Sequence, residues 1–100
     1  MRNNVAALAD KVYVLRGSTG SYDDVYTWLV CAYLTKHDAE MHREAAQKRA
    51  TEIVENAETT ADLDAPNKWD AGMIIAAGSN VVYSVYEVPL RTTMMEYVNG

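Results

Sequence analysis

Apolar and polar positions along the chain change their spacing several times, and each change marks an element. Lys11 to Arg16, read as Lys-Val-Tyr-Val-Leu-Arg, is β-branched and aromatic and runs into Gly17-Ser18-Thr19-Gly20-Ser21. Such a run closed by turn-forming residues predicts a first strand. Tyr22 to Leu34 holds Val, Tyr, Thr and Trp at high density without Gly or Pro, so a second, longer strand is expected to pair with the first as a hairpin. Thr35-Lys36-His37-Asp38 then offers a threonine N-cap with an acid three positions on, an Asp version of the capping box. From there Ala39, His42, Ala46, Ala50, Ile53 and Ala57 recur at spacings of three and four, which is one face of an α-helix of roughly six turns. Glu40, Glu44, Gln47, Lys48 and Glu55 mainly occupy its other side, and Glu44 with Lys48 has the i,i+4 spacing of a stabilising pair. Because the apolar face is mostly alanine, the helix can lie close to a sheet, and the strands must supply the bulk of the core.

The periodicity stops from Glu58 to Gly72, where Thr59-Thr60, Asp62, Asp64, Pro66-Asn67 and Gly72 predict a long irregular loop. Loops of this length are functional or poorly ordered. Met73 to Ala77 is a short apolar run that predicts a brief strand, Gly78-Ser79-Asn80 suits a tight turn, and Val81 to Val88 is the clearest strand in the chain. Pro89 ends that strand's pairing or places it at a sheet edge. Met94 to Val98 fits a turn of helix or an added edge. The order β-β-α-(β)-β predicts an α+β fold: an antiparallel sheet of three to four strands with one long amphipathic helix packed on one face. Residues 1–100 are expected to form a single domain with its core in 11–90 and a long loop at 58–72.

Charge narrows the range of partners. Fourteen acids against nine Lys and Arg give a formal charge of −5, which disfavours direct binding to nucleic acid and to anionic membranes. The lone Cys31 lies in the apolar run Trp28 to Leu34 and is read as a structural thiol. Val5 to Ala9 is too short an apolar stretch for a signal-peptide core. With no apolar run of membrane-spanning length, a reducing cytoplasm is the expected location.

Little in the sequence points to catalysis. His37 and His42 stand five residues apart, which places them on different faces of a helix, and no further His or Cys completes a zinc set. No metal and no cofactor is expected. The glycine-serine stretch at 17–21 lacks the Gly-Lys-Ser/Thr ending of a phosphate loop and precedes a strand rather than a helix. Ser18, Ser21 and Cys31 have no adjacent signature of an activated nucleophile, and Asp23 and Asp24 as neighbours on a strand point to opposite faces. A non-enzymatic protein is therefore expected.

Two surface features remain. Seven tyrosines and two tryptophans with no phenylalanine suit half-buried strand packing or an interface, with Tyr13 and Tyr83 as the interface candidates. Between Ala50 and Asn67 stand Glu52, Glu55, Glu58, Asp62 and Asp64 with no Lys or Arg. Acids at a helix C-terminus oppose its dipole, and a local negative field of this kind suits docking to a basic surface.

Lys-Val-Tyr-Val-Leu at 11–15, the Gly/Ser turn, Ala-Tyr-Leu-Thr at 32–35, the alanine-rich helix and Tyr-Ser-Val-Tyr-Glu-Val-Pro-Leu at 83–90 resemble the pattern of a group of small phage and prophage proteins. The resemblance covers residues 11–90 and transfers no site residue. It implies a counter-defence role of the anti-CRISPR kind, in which the five acids would engage a basic nucleic-acid channel of a bacterial defence protein or Cas complex. The alternative is a homodimeric interaction module without inhibitory activity, built on the tyrosine-bearing sheet face or a strand edge.

Overall fold

The computed structural model describes residues 10–91. The readings of Val5 to Ala9 and of Met94 to Val98 lie outside them. Strands β1 (Lys11–Thr19), β2 (Tyr26–Tyr33) and β3 (Val81–Pro89) form an antiparallel sheet in the order β2-β1-β3, and one helix, α1 (Lys36–Asn56), packs against it. The chain has the α+β architecture that its periodicities predict, with three strands among the described residues.

β1 and β2 pair from Tyr13 with Tyr33 to Thr19 with Tyr26, except that Leu15 meets Cys31 while Arg16 meets Leu29. Val30 is thus the extra residue of a β-bulge, which bends the edge strand. Gly17 lies opposite Trp28, and a Cβ there would come within 2.6 Å of the indole ring. The glycine in mid-strand therefore lets the tryptophan lie across the sheet. The second strand begins later than its composition suggests, because Tyr22–Asp24 form a single 3-10 turn. Gly20 has φ 97° and Tyr22 has φ 54°, with the tyrosine 97% exposed at the tip of the hairpin.

Thr35 caps α1 by accepting a hydrogen bond from Asp38 N at 3.3 Å. The Asp38 carboxylate accepts a hydrogen bond from the Thr35 hydroxyl rather than from the threonine amide, so half of the expected box forms. Ala39, Ala46, Ala50 and Ile53 are buried on the helix, as the spacing requires. Leu15, Val81 and Tyr83 fill the space that the alanines leave, with Trp28, Val30, Cys31, Met73, Ile75 and Val85 packed around them. The opposite face of the sheet, carrying Val14, Arg16, Leu29, Val82, Tyr86 and Val88, has no helix on it among the described residues; Leu29 is 73% and Val82 58% exposed. Arg16 lies 4.8 Å above the Tyr86 ring on that face.

Two local expectations fail for stated reasons. Residues 73–77 form no strand: Ala76 N donates to Thr19 Oγ1, and Met73 and Ile75 face the core as separate anchors. The outer edge of β3 is met instead by Gln47, whose amide donates to Val81 O at 2.7 Å and accepts from Tyr83 N at 3.0 Å. The Glu44–Lys48 pair does not form either, because Glu44 lies 3.8 Å from Arg43 Nη2 and no ion pair engages Lys48 among the described residues.

Candidate functional site

The acidic segment gathers at the end of α1. That helix closes at Asn56 with no basic residue in its last turn, and the chain folds back through a 3-10 turn at Thr60–Asp64. Between the two lies an open groove of about 580 Å³, lined by Glu52, Glu58, Asp62 and Asp64 among others. Their roles differ. Asp62 Oδ2 accepts from the backbone amides of Glu58 at 2.8 Å and Thr59 at 3.0 Å, and these bonds hold its carboxyl below the usual carboxylate range. Glu52 lies 3.8 Å from Arg49, which also donates to Pro66 O. Arg49, just before the acid-only stretch in sequence, thus reaches the groove wall and offsets one of its charges. Glu58 and Asp64 have no ion-pair partner among the described residues, and the negative end of the helix dipole adds to their field. Glu55 is not part of the groove; it lines a separate concavity with Arg43, Glu44, Gln47 and Lys48.

The two interface tyrosines lie on the helix-covered side. Tyr83 is 3% exposed and belongs to the core, which corrects its expected place at an interface: a side chain covered by α1 offers nothing to a partner. Tyr13 is half-buried and shares strand parity with Leu15. Among the described residues, the tyrosine on the opposite sheet face is Tyr86, beneath Arg16.

Two clusters fasten the long loop to the sheet. Asp70, 5% exposed, accepts hydrogen bonds from Trp28 Nε1 at 2.8 Å and from the Tyr83 hydroxyl at 2.7 Å. Burial, and next this bond to Asp70, push the Tyr83 phenol well above its ordinary range. Asn67, also buried, donates to Ala46 O and accepts from Trp69 N. In the second cluster His42 Nε2 lies 2.6 Å from Trp69 O, an atom that can only accept, so this nitrogen carries the proton. In the neutral ring Nδ1 then accepts from the Tyr33 hydroxyl at 2.8 Å, with Cys31 Sγ 3.6 Å away. Burial, and next the Asp70 carboxylate, raise the Cys31 thiol, the opposite of the thiolate stabilisation that makes a nucleophilic cysteine. His42 acts here as a staple between β2, α1 and the loop. His37 is exposed and stands apart from it.

The residues that sequence reasoning missed are Arg49, Asp70 and Gln47. A buried aspartate bonded to two neutral donors has no local signature, because its partners lie 42 and 13 positions away. No helix among the described residues is long and apolar enough to cross a membrane, and no group of three or more His, Cys, Asp or Glu side chains among them is placed to hold a metal ion. Comparison with known proteins finds no matching family model, no matching curated protein and no matching solved structure.

Proposed function

We propose that this chain is a non-enzymatic binding protein that presents its carboxylate groove to a Lys/Arg-lined surface of another protein. In the form suggested by the resemblance to small phage proteins, it is a counter-defence inhibitor that docks on a bacterial defence protein or Cas complex and blocks a nucleic-acid channel. One observation carries the reading: Glu52, Glu58, Asp62 and Asp64 converge on one groove at a helix C-terminus, concentrating a charge that is only diffuse in composition. The test is a salt-dependent pull-down against defence complexes using the double variant Glu58→Lys, Asp64→Lys. Glu55→Lys serves as a control because it alters charge outside the groove. The reading expects the double variant to lose a partner that the control retains. Equal retention by both variants would remove the groove from the interaction.

A second reading is favoured by the sheet. Its face away from the helix exposes Leu29, Val82, Tyr86 and Val88 around Arg16 and Ser84, and exposed apolar side chains of this kind mark association surfaces. A homodimer formed there would dissociate on Leu29→Glu or Val82→Glu, as read by sedimentation. A wild-type chain that sediments as a monomer at high concentration would reject it.

A further inference from the structure

On the other side of the Arg49–Glu52 pair the surface changes sign. An open groove of about 830 Å³ runs between α1 and the loop, within the volume range of small-molecule sites, about 300–1,000 Å³. Trp69 and Pro66 line it together with Arg49, Glu52, Lys48 and Lys68. Trp69 is 41% exposed, although its own backbone is fixed: its amide donates to Asn67 and its carbonyl receives His42. The indole is therefore a held platform with an accessible ring.

The charges match one class of ligand. Arg49 and Glu52 offset each other across their 3.8 Å contact, while no ion pair engages Lys48 or Lys68 among the described residues. Lys68 Nζ rests 5.0 Å above the Trp69 ring, a position that a stacking ligand would take over, releasing the ammonium. Two cations without an ion-pair partner among the described residues, on a chain of charge −5, complement the roughly −1.5 to −2 charge of a phosphate monoester. A planar ring on the indole with two ammonium groups beyond it is the recognition pattern of an aromatic phosphate. The geometry points to a binding site for a nucleoside monophosphate in this groove, with the base stacked on Trp69 and the phosphate held by Lys48 and Lys68. It shares Arg49 and Glu52 with the acidic groove but does not require the partner proposed above.

Titration of the purified chain with AMP, followed by calorimetry and by tryptophan fluorescence, tests the assignment. AMP is expected to bind and quench the exposed indole, with adenosine and inorganic phosphate each weaker by about tenfold or more, since each keeps only one half of the contacts. Trp69→Ala, and separately Lys48→Glu with Lys68→Glu, are expected to weaken AMP by a similar factor. These side chains are exposed and lie outside the core cluster, with Trp69 meeting the His42 ring edge-on, and a circular dichroism spectrum identical to wild type is expected to accompany the loss. Binding of a 5′-phosphorylated oligonucleotide as tightly as AMP supports the site with a strand end as its source, whereas exclusion of the oligonucleotide supports free nucleotide. No AMP binding at millimolar concentration, AMP binding undiminished in the variants, or preference for an acidic aromatic peptide over AMP would each overturn the proposal.

Discussion

Asp70 Oδ2 sits 2.7 Å from the Tyr83 hydroxyl, and the two residues join the long loop to the buried side of the last strand. The same oxygen holds Trp28 from the opposite edge strand, so one carboxylate ties β2, β3 and the loop together. Asp70→Ala would leave both donors without this acceptor in a largely dry site, at a cost of about 2–4 kcal/mol. Asp70→Asn keeps an acceptor oxygen and is expected to lose roughly half as much. Urea denaturation of the two variants checks the order; an Ala variant as stable as Asn would show that the bonds contribute little.

Gln47 occupies the edge of β3 as a neighbouring strand would. Its replacement by Ala removes two hydrogen bonds to the backbone at Val81 and Tyr83, an expected loss of about 1–2 kcal/mol. Amide exchange at Tyr83, whose N–H is the donor to Gln47, should quicken in this variant more than exchange in mid-helix. Unchanged protection at Tyr83 would show that the amide is redundant.

Acid should loosen the turn that forms the acidic groove. The Asp62 carboxyl is held below its ordinary 3.8 by backbone donors, so its contribution is present above the unfolded value and is lost as pH falls through the lower folded value. Asp62→Asn is expected to flatten part of the fall in thermal midpoint below about pH 4. Asp62 chemical shifts that titrate at or above 3.8 would contradict the assignment.

Alkali acts at the other end of the scale. Burial raises the Cys31 thiol above 9.0 and the Tyr83 phenol above 10.0. Stability from these protonated groups is therefore complete below their unfolded values and is lost as pH rises through the folded ones. Alkylation of Cys31 should be slow at neutral pH and accelerate only above about pH 9, because the thiolate is the reacting form. Rapid neutral alkylation would place a stabilised thiolate at this position.

The sheet and helix were legible because their signals are local. Val12 to Leu15 and Val81 to Val88 carry strand composition, and the alanine spacing from Ala39 to Ala57 has one helical reading. Residues 73–77 have strand composition too, yet the nearby edge of β3 is met by Gln47 and the segment's amide at Ala76 goes to Thr19. Composition reports what a segment tolerates, while the site a competing side chain reaches first is decided in three dimensions. Likewise the acids at 52, 58, 62 and 64 were visible as a run, but the return of Arg49 and the departure of Glu55 depend on helix phase and loop path. Tyr83 was misplaced because alternation along β3 tells which residues share a face, not which face the helix covers.

The strand order has a consequence for biosynthesis. Of the three described strands the middle one is the first to emerge from the ribosome, and its hairpin with β2 can close at once, since the contacts are short in sequence. Its other edge must wait: Thr19 meets Asn80 across 61 positions. Until β3 arrives, the nascent chain carries a half-built sheet with an open edge, the condition in which strands pair with the wrong neighbour. Chaperone dependence of folding should therefore fall sharply once translation has passed β3.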